Sequence, residues 1–268
     1  MGADRIEEAL AKARGTGEVG VILYLTVGFP SIEATLELVP ALAKAGATVI
    51  ELGIPFSDPL ADGVTIQKAT FHALQQGVTP AACLEVCRQL RQRGADVPLV
   101  LMGYSNPVYA YGLQGFVRDA ANAGVDGLIV ADLPTEEAGP LQAACATQGL
   151  ALIPLLAPTS SERRIAAACQ NAKGFIYCIS LTGVTGAREE LALGVETLVS
   201  TVRRNTSLPV AVGFGVSRRS HVQALGKMAD AVAIGSALIR VLEDAPPGHL
   251  VPRAQAFVKE LTGVRRTL

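Results

Sequence analysis

The chain lacks any stretch of about 18 consecutive apolar residues, the length a helix needs to cross a bilayer, so no segment reads as a membrane span. It also has no surplus charge of either sign. Lysine and arginine together number 23 against 24 aspartates and glutamates, for a formal net charge of −1 and a pI near 6.3. Without a basic stripe or a block of like charge, nucleic acid is excluded as a natural partner class. No Ser/Gly-rich linker and no shift in composition divides the 268 residues. Histidine is scarce, at three residues, and the five cysteines (Cys83, Cys87, Cys145, Cys169 and Cys178) are odd in number and scattered over helical or strand patterns. That usage predicts a reduced, cytoplasmic protein with buried thiols rather than a disulfide framework. Cys83 and Cys87 share one helical face, but the further His or Cys of a zinc set is missing nearby. The opening MGADRIEEALAKARG has no apolar centre of the signal-peptide kind and predicts a short amphipathic helix.

What the chain does have is apolar mass, half of all residues, arranged in short runs. VGVILYLTV (19–27), TVIELGIP (48–55), PLVLMGY (98–104) and GLIVADLP (127–134) are followed by ALIPLLAP (151–158), GFIYCISL (174–181), PVAVGFGV (209–216) and AVAIGSAL (231–238). Continuous apolar character, without alternation, suits parallel strands covered on both faces. Amphipathic stretches lie between the runs; Ser31, Thr135 and Ser160 offer N-caps, and Gly46 and Gly149 offer helix ends. Eight βα units in a chain of this length predict an α/β fold, a TIM (β/α)8 barrel spanning residues 1–268 as one domain, with an extra N-terminal helix. The second and third runs are about twenty residues further apart than most neighbours. The excess predicts a loop and helix insertion on the face where such barrels carry their active sites.

That insertion opens with ELGIPFSDPLADG (51–63), which sets an acid inside an apolar run. Val49, Ile50, Leu52 and Ile54 surround Glu51, so desolvation should raise its pKa toward neutrality and let it trade protons near pH 7. The alternative is a structural glutamate neutralised by a cation, yet none of the eight runs contains Lys or Arg. Asp62, eleven positions on in a polar turn, should stay ionised and partly hydrated, giving two carboxylates with divided roles. Asp58 fits a turn or cap, and Asp132, ending the fourth run, fits either a site or a hydrogen bond to its own loop. At the ends of the later strands, Gly186, Gly215 and Gly235 would let backbone amides approach an anion, with Ser236 adding a hydroxyl at a helix start. Such barrels hold phosphate there. Tyr24, Met102, Ile129, Tyr177 and Phe214 would suit an apolar, aromatic part of the substrate, or else belong to the barrel core.

The residue inventory narrows the chemistry further. An imine-forming aldolase needs a lysine in the barrel mouth. Of the six lysines, Lys173 precedes the sixth run at the opposite end, and Lys12, Lys44, Lys68, Lys227 and Lys259 fall in helical patterns. His72, His221 and His249 likewise sit on helices or their flanks, away from any ligand cluster. Proton transfer by carboxylates on a phosphorylated substrate, without metal or imine, is the expectation.

The segment IELGIPFSDPLADGVTIQKA closely resembles the signature of the tryptophan synthase α-subunit family. The likeness continues in order through LTVGFPS, GYSNPVYAYG, VDGLIVADLPTEEA, YCISLTGVTGARE, VGFGVS and AIGSALI, over almost the whole chain. The resemblance implies cleavage of indole-3-glycerol phosphate to indole and glyceraldehyde 3-phosphate, with no cofactor in this chain. It implies a pyridoxal-phosphate-dependent β-subunit partner in an αββα heterotetramer. Matched by position, Glu51 becomes the proton-transfer residue and Asp62 the partner of the indole N–H. Tyr177, Gly186, Phe214, Gly215, Gly235 and Ser236 become pocket residues, and Thr185 a lid residue that orients Asp62. Gly183 and Gly186 read as hinges of that lid, while Pro55 and Asp58 match positions that communicate with the β subunit. Tyr24, Met102 and Ile129 stand where other members carry Phe or Leu, and Val64 follows Asp-Gly where many carry Pro. A free-standing lyase that releases indole and a non-catalytic subunit that binds a phosphorylated ligand are the competing readings.

Overall fold

The computed structural model of the chain describes residues 2–179, 188–213 and 215–263. Among these, the strands are β1 (Gly20–Thr26), β2 (Val49–Gly53), β3 (Leu99–Gly103), β4 (Gly127–Val130), β5 (Ala151–Leu152), β6 (Leu155–Leu156), β7 (Ile176–Ile179), β8 (Val210–Gly213) and β9 (Ala231–Ile234). Their order is β5-β4-β3-β2-β1-β9-β8-β7-β6, parallel throughout. The two terminal strands are pieces of one run, parted only by Ile153 and Pro154. The Ile153 N–H donates to the Leu128 carbonyl at 2.9 Å, and the Pro154 carbonyl accepts from the Tyr177 N–H at 3.1 Å. These two residues hand the ladder from β4 to β7, so the sheet closes on itself as a TIM barrel. The eight runs make eight positions in the wall, and the fifth is broken because proline has no N–H to give to a ladder.

Every residue of β1 and β2 is buried, as strands covered on both faces must be. Alternation then sorts the side chains. In β2, Ile50 and Leu52 pack outward against the helices, while Val49 faces the barrel interior with Ile22, Val100, Ile129, Ile153 and Phe175. The helix Gly2–Gly15 closes the N-terminal end of this interior, burying Ala3, Ile6 and Leu10 in the same cluster. Arg5 and Arg91 pair with the buried Asp126 beneath it.

Helix starts follow local chemistry. The Ser31 hydroxyl accepts from the Ala34 N–H at 3.0 Å to begin Ile32–Lys44. The expected cap at Ser160 is corrected by one residue: Ser161 caps Glu162–Asn171, and the Ser160 hydroxyl accepts from Ala157 N–H. Thr135 begins a short 3-10 turn (Thr135–Glu137) instead of capping a long helix, and Gly139–Gln148 follows with Pro140 in its first turn. The insertion after β2 holds the loop with Glu51's neighbours and two helices, Val64–Gln75 and Pro80–Gln92. Among the described residues no helix is long and apolar enough to cross a membrane.

Candidate active site

The alternation that sends Val49 inward also sends Glu51 inward, one layer nearer the C-terminal ends of the strands, where it pairs with Tyr24 of β1. Glu51 is 1% exposed, and its Oε1 is a buried polar atom without a hydrogen-bond partner. Desolvation alone pushes its pKa up to about 8. The structural alternative required a neutralising cation, and no ion pair to Glu51 occurs among the described residues. An uncompensated acid in such a place is held in its protonated form and can release that proton to a substrate.

Asp62 is half-buried in the turn before Val64–Gln75. Its Oδ2 accepts from the Tyr104 hydroxyl at 3.0 Å, and its backbone carbonyl accepts from Gln67 Nε2 at 2.8 Å. Burial raises its pKa to about 6, opposed by the Tyr104 hydrogen bond. It is therefore ionised at neutral pH while Glu51 is protonated: two carboxyls in one cavity, in opposite states.

That cavity, of about 240 Å³, is lined by Glu51, Asp62, Tyr24, Met102 and Tyr177 together with Gly215, Gly235 and Ser236. Gly215 has φ +53°, a left-handed conformation that favours glycine, and Gly235 and Ser236 form the start of the helix Ser236–Glu243. Backbone amides and the positive end of a helix dipole thus border the same space as the carboxyls.

The remaining residues singled out in the sequence fall elsewhere. Ile129 is fully buried in the barrel interior and does not line the cavity. Pro55 is buried in the loop after β2, and Asp58 is exposed, accepting from the Ser57 hydroxyl. Asp132 does not line the cavity, and instead of bonding its own loop it accepts the Ser105 N–H, just past β3, at 2.7 Å. Thr185, Gly186, Phe214 and the hinge at Gly183 lie outside the described residues. His72 meets the Pro30 carbonyl, His221 the Ser217 N–H and His249 the Pro247 carbonyl, and none lines the cavity. Among the described residues no group of three His, Cys, Asp or Glu could hold a metal ion. All five cysteines are buried and unpaired.

Sequence reasoning missed several neighbours, Tyr104, Arg240 and Gly53 among them. Tyr104 holds Asp62 and Arg240 borders the cavity. Gly53 leaves room for the Tyr24 ring, which a Cβ there would overlap. A strand-terminal glycine after an inward acid was the available signal for Gly53; the other two left none.

The model of the family described as "Tryptophan synthase alpha chain" matches residues 10–263. The chain belongs to the tryptophan synthase alpha chain family. Similar relatives include the tryptophan synthase alpha chains of Roseiflexus sp. (strain RS-1), 51% identical over 97% of this chain and 99% of the relative, and of Chloroflexus aggregans, 51% identical over 96% and 97%. Similar solved structures include tryptophan synthase subunit alpha from Legionella pneumophila, with TM-score 0.87 and 33% identity over 97% of each chain. Another is tryptophan synthase from M. tuberculosis in an aminoacrylate-bound form, with TM-score 0.87 and 35% identity over 97% of this chain and 99% of that one. As a member of this family the chain is a lyase of tryptophan biosynthesis, which cleaves indole-3-glycerol phosphate to indole and glyceraldehyde 3-phosphate.

Proposed function

We propose that Glu51 and Asp62 divide the cleavage between them. Protonated Glu51 donates to indole C3, and the resulting cationic indolenine is stabilised by ionised Asp62, which accepts the indole N–H. Glu51, now a carboxylate, takes the proton of the glycerol hydroxyl as the carbon–carbon bond breaks. Its electron pair returns to the ring, and Glu51 ends protonated as it began. The observation that carries this reading is the buried Glu51 Oε1 with no partner of its own. On the same reading Gly215, Gly235 and Ser236 bind the phosphate through amides and a hydroxyl, while Tyr24, Met102 and Tyr177 flank the indole.

No cofactor is needed in this chain for these steps. The chain pairs with a pyridoxal-phosphate-dependent β subunit in an αββα tetramer, with Pro55 and Asp58 in the connecting loop. Support comes from the apolar side chains left bare around that loop: Leu60 is 93% exposed, Val64 68% and Phe71 64%. Phe56, Pro59 and Phe71 line one groove beside it.

Indole release from indole-3-glycerol phosphate, with and without a β subunit, tests the assignment. Glu51→Gln is expected to bind substrate normally and lose turnover by about 10²–10⁴-fold, the usual contribution of a proton-transfer group. Asp62→Asn is expected to slow cleavage substantially by removing the charge. Weakened binding with turnover intact in Glu51→Gln would contradict the proton-transfer role.

A further inference from the structure

Tyr104 lies just past the C-terminal end of β3, buried, at the N-cap of the helix Ser105–Tyr111. Its ring packs against Phe56 at a centroid distance of 5.4 Å, which leaves the phenol little freedom. The hydroxyl oxygen accepts from the Ala61 N–H at 3.1 Å and its proton goes to Asp62 Oδ2 at 3.0 Å. A phenol has one proton to give. With the oxygen engaged by a backbone donor, that proton is directed at the carboxylate. We propose that Tyr104 is a positioning residue for the cleavage reaction, aiming the Asp62 carboxylate into the cavity and keeping it in its charged form. This rests on the role assigned to Asp62 above.

A donor with no other outlet favours the carboxylate over the acid. Burial and the neighbouring Asp62 raise the phenol's own pKa, so it remains a donor across the working range. No other side chain among the described residues hydrogen-bonds the Asp62 carboxylate. Glu51, Tyr24 and Tyr177 border the same cavity, and the Asp132 charge also disfavours ionisation of the Tyr104 phenol. Arg240, on Ser236–Glu243, is the one cation lining the cavity among the described residues, and it makes no hydrogen bond or ion pair to Asp62 there. Loss of the phenol hydroxyl leaves burial of Asp62 unopposed, and its titration moves upward.

The test follows indole release by the full chain from about pH 5 to about pH 9. It compares wild type, Tyr104→Phe, Asp62→Asn and the double variant. The phenylalanine keeps the ring against Phe56. It is expected to move the acid limb of kcat/KM upward by about one pH unit, a roughly tenfold loss below the limb that recovers on the alkaline side. KM changes by less than about twofold, because the hydroxyl touches Asp62 and not the phosphate end. In the Asp62→Asn background the same substitution leaves the pH profile unmoved. A fluorotyrosine at position 104, a stronger donor of the same shape, moves the limb downward. An unmoved limb, a loss equal at every pH, or the same shift without Asp62 would overturn the proposal alone. Wild-type turnover by Asp62→Asn would overturn the role of Asp62 and this proposal with it.

Discussion

Glu51 sits in tension with the fold that holds it. Its carboxyl titrates near 4.5 when unfolded and at about 8 in the barrel. Below the lower value it is protonated in both states and burial strands no charge. Between the two values the unfolded chain gives up this proton while the folded one keeps it, so stability is lost progressively as pH rises from about 4.5 to about 8. Glu51→Gln removes that cost. Its thermal midpoint is expected to match wild type near pH 4.5 and exceed it progressively above, by a free-energy difference on the order of 3 kcal/mol at pH 7. Melting curves at several pH values check this; parallel curves would mean the carboxyl is solvated after all. This residue was legible in the sequence because an acid inside a branched-chain run has no packing reason to be there. Tyr104 was not legible: its role depends on a turn 42 positions earlier approaching the end of a different strand.

At the scale of elements, strand ends do the positioning. Gly53 ends β2 and Gly213 ends β8, and each leaves space for a tyrosine ring that lines the cavity. A Cβ on Gly213 would lie 2.9 Å from the Tyr177 ring, and one on Gly53 would overlap the Tyr24 phenol. Gly53→Ala is expected to cost about 1–3 kcal/mol through overpacking and to raise KM for indole-3-glycerol phosphate as Tyr24 is driven into the cavity. Unchanged stability and KM together would show that the ring turns aside freely. The elements were read largely from periodicity, with strand ends overshot by up to four residues where an apolar run continues into the following loop or helix, as 231–238 does into Ser236–Glu243. The exceptions have local causes: with Ser160 and Ser161 adjacent, either could begin a helix, and only the path of the preceding loop chooses. Pro140 and the 3-10 turn before it divided what read as one helical stretch.

The whole molecule was legible as a count. Eight runs fixed the number of wall positions, and parallel pairing with helical crossovers fixed their order. What the count omitted is how the cylinder is sealed. The helix Gly2–Gly15 closes the end opposite the site, with Ile6 fully buried and the Glu7 carboxylate accepting from Gly174 N–H at 2.9 Å. Ile6→Ala is expected to destabilise the protein by about 2–5 kcal/mol, as deletion of a buried aliphatic side chain does. Indole release per folded molecule should be unchanged, since the helix and the carboxyls occupy opposite ends. Chemical denaturation beside activity assays separates the two effects.

The neighbours of β1 are β2 and β9, so β1 is flanked on one side by a strand that leaves the ribosome long after it. Until residues 231–234 emerge, a nascent chain carries an open flank on β1, and its leading helix has no complete rim in which to seat. Translation thus delivers this cylinder nearly finished before it can shut. The interval before β9 emerges is when its apolar ribs are most open to capture by a chaperone or by another copy still being made.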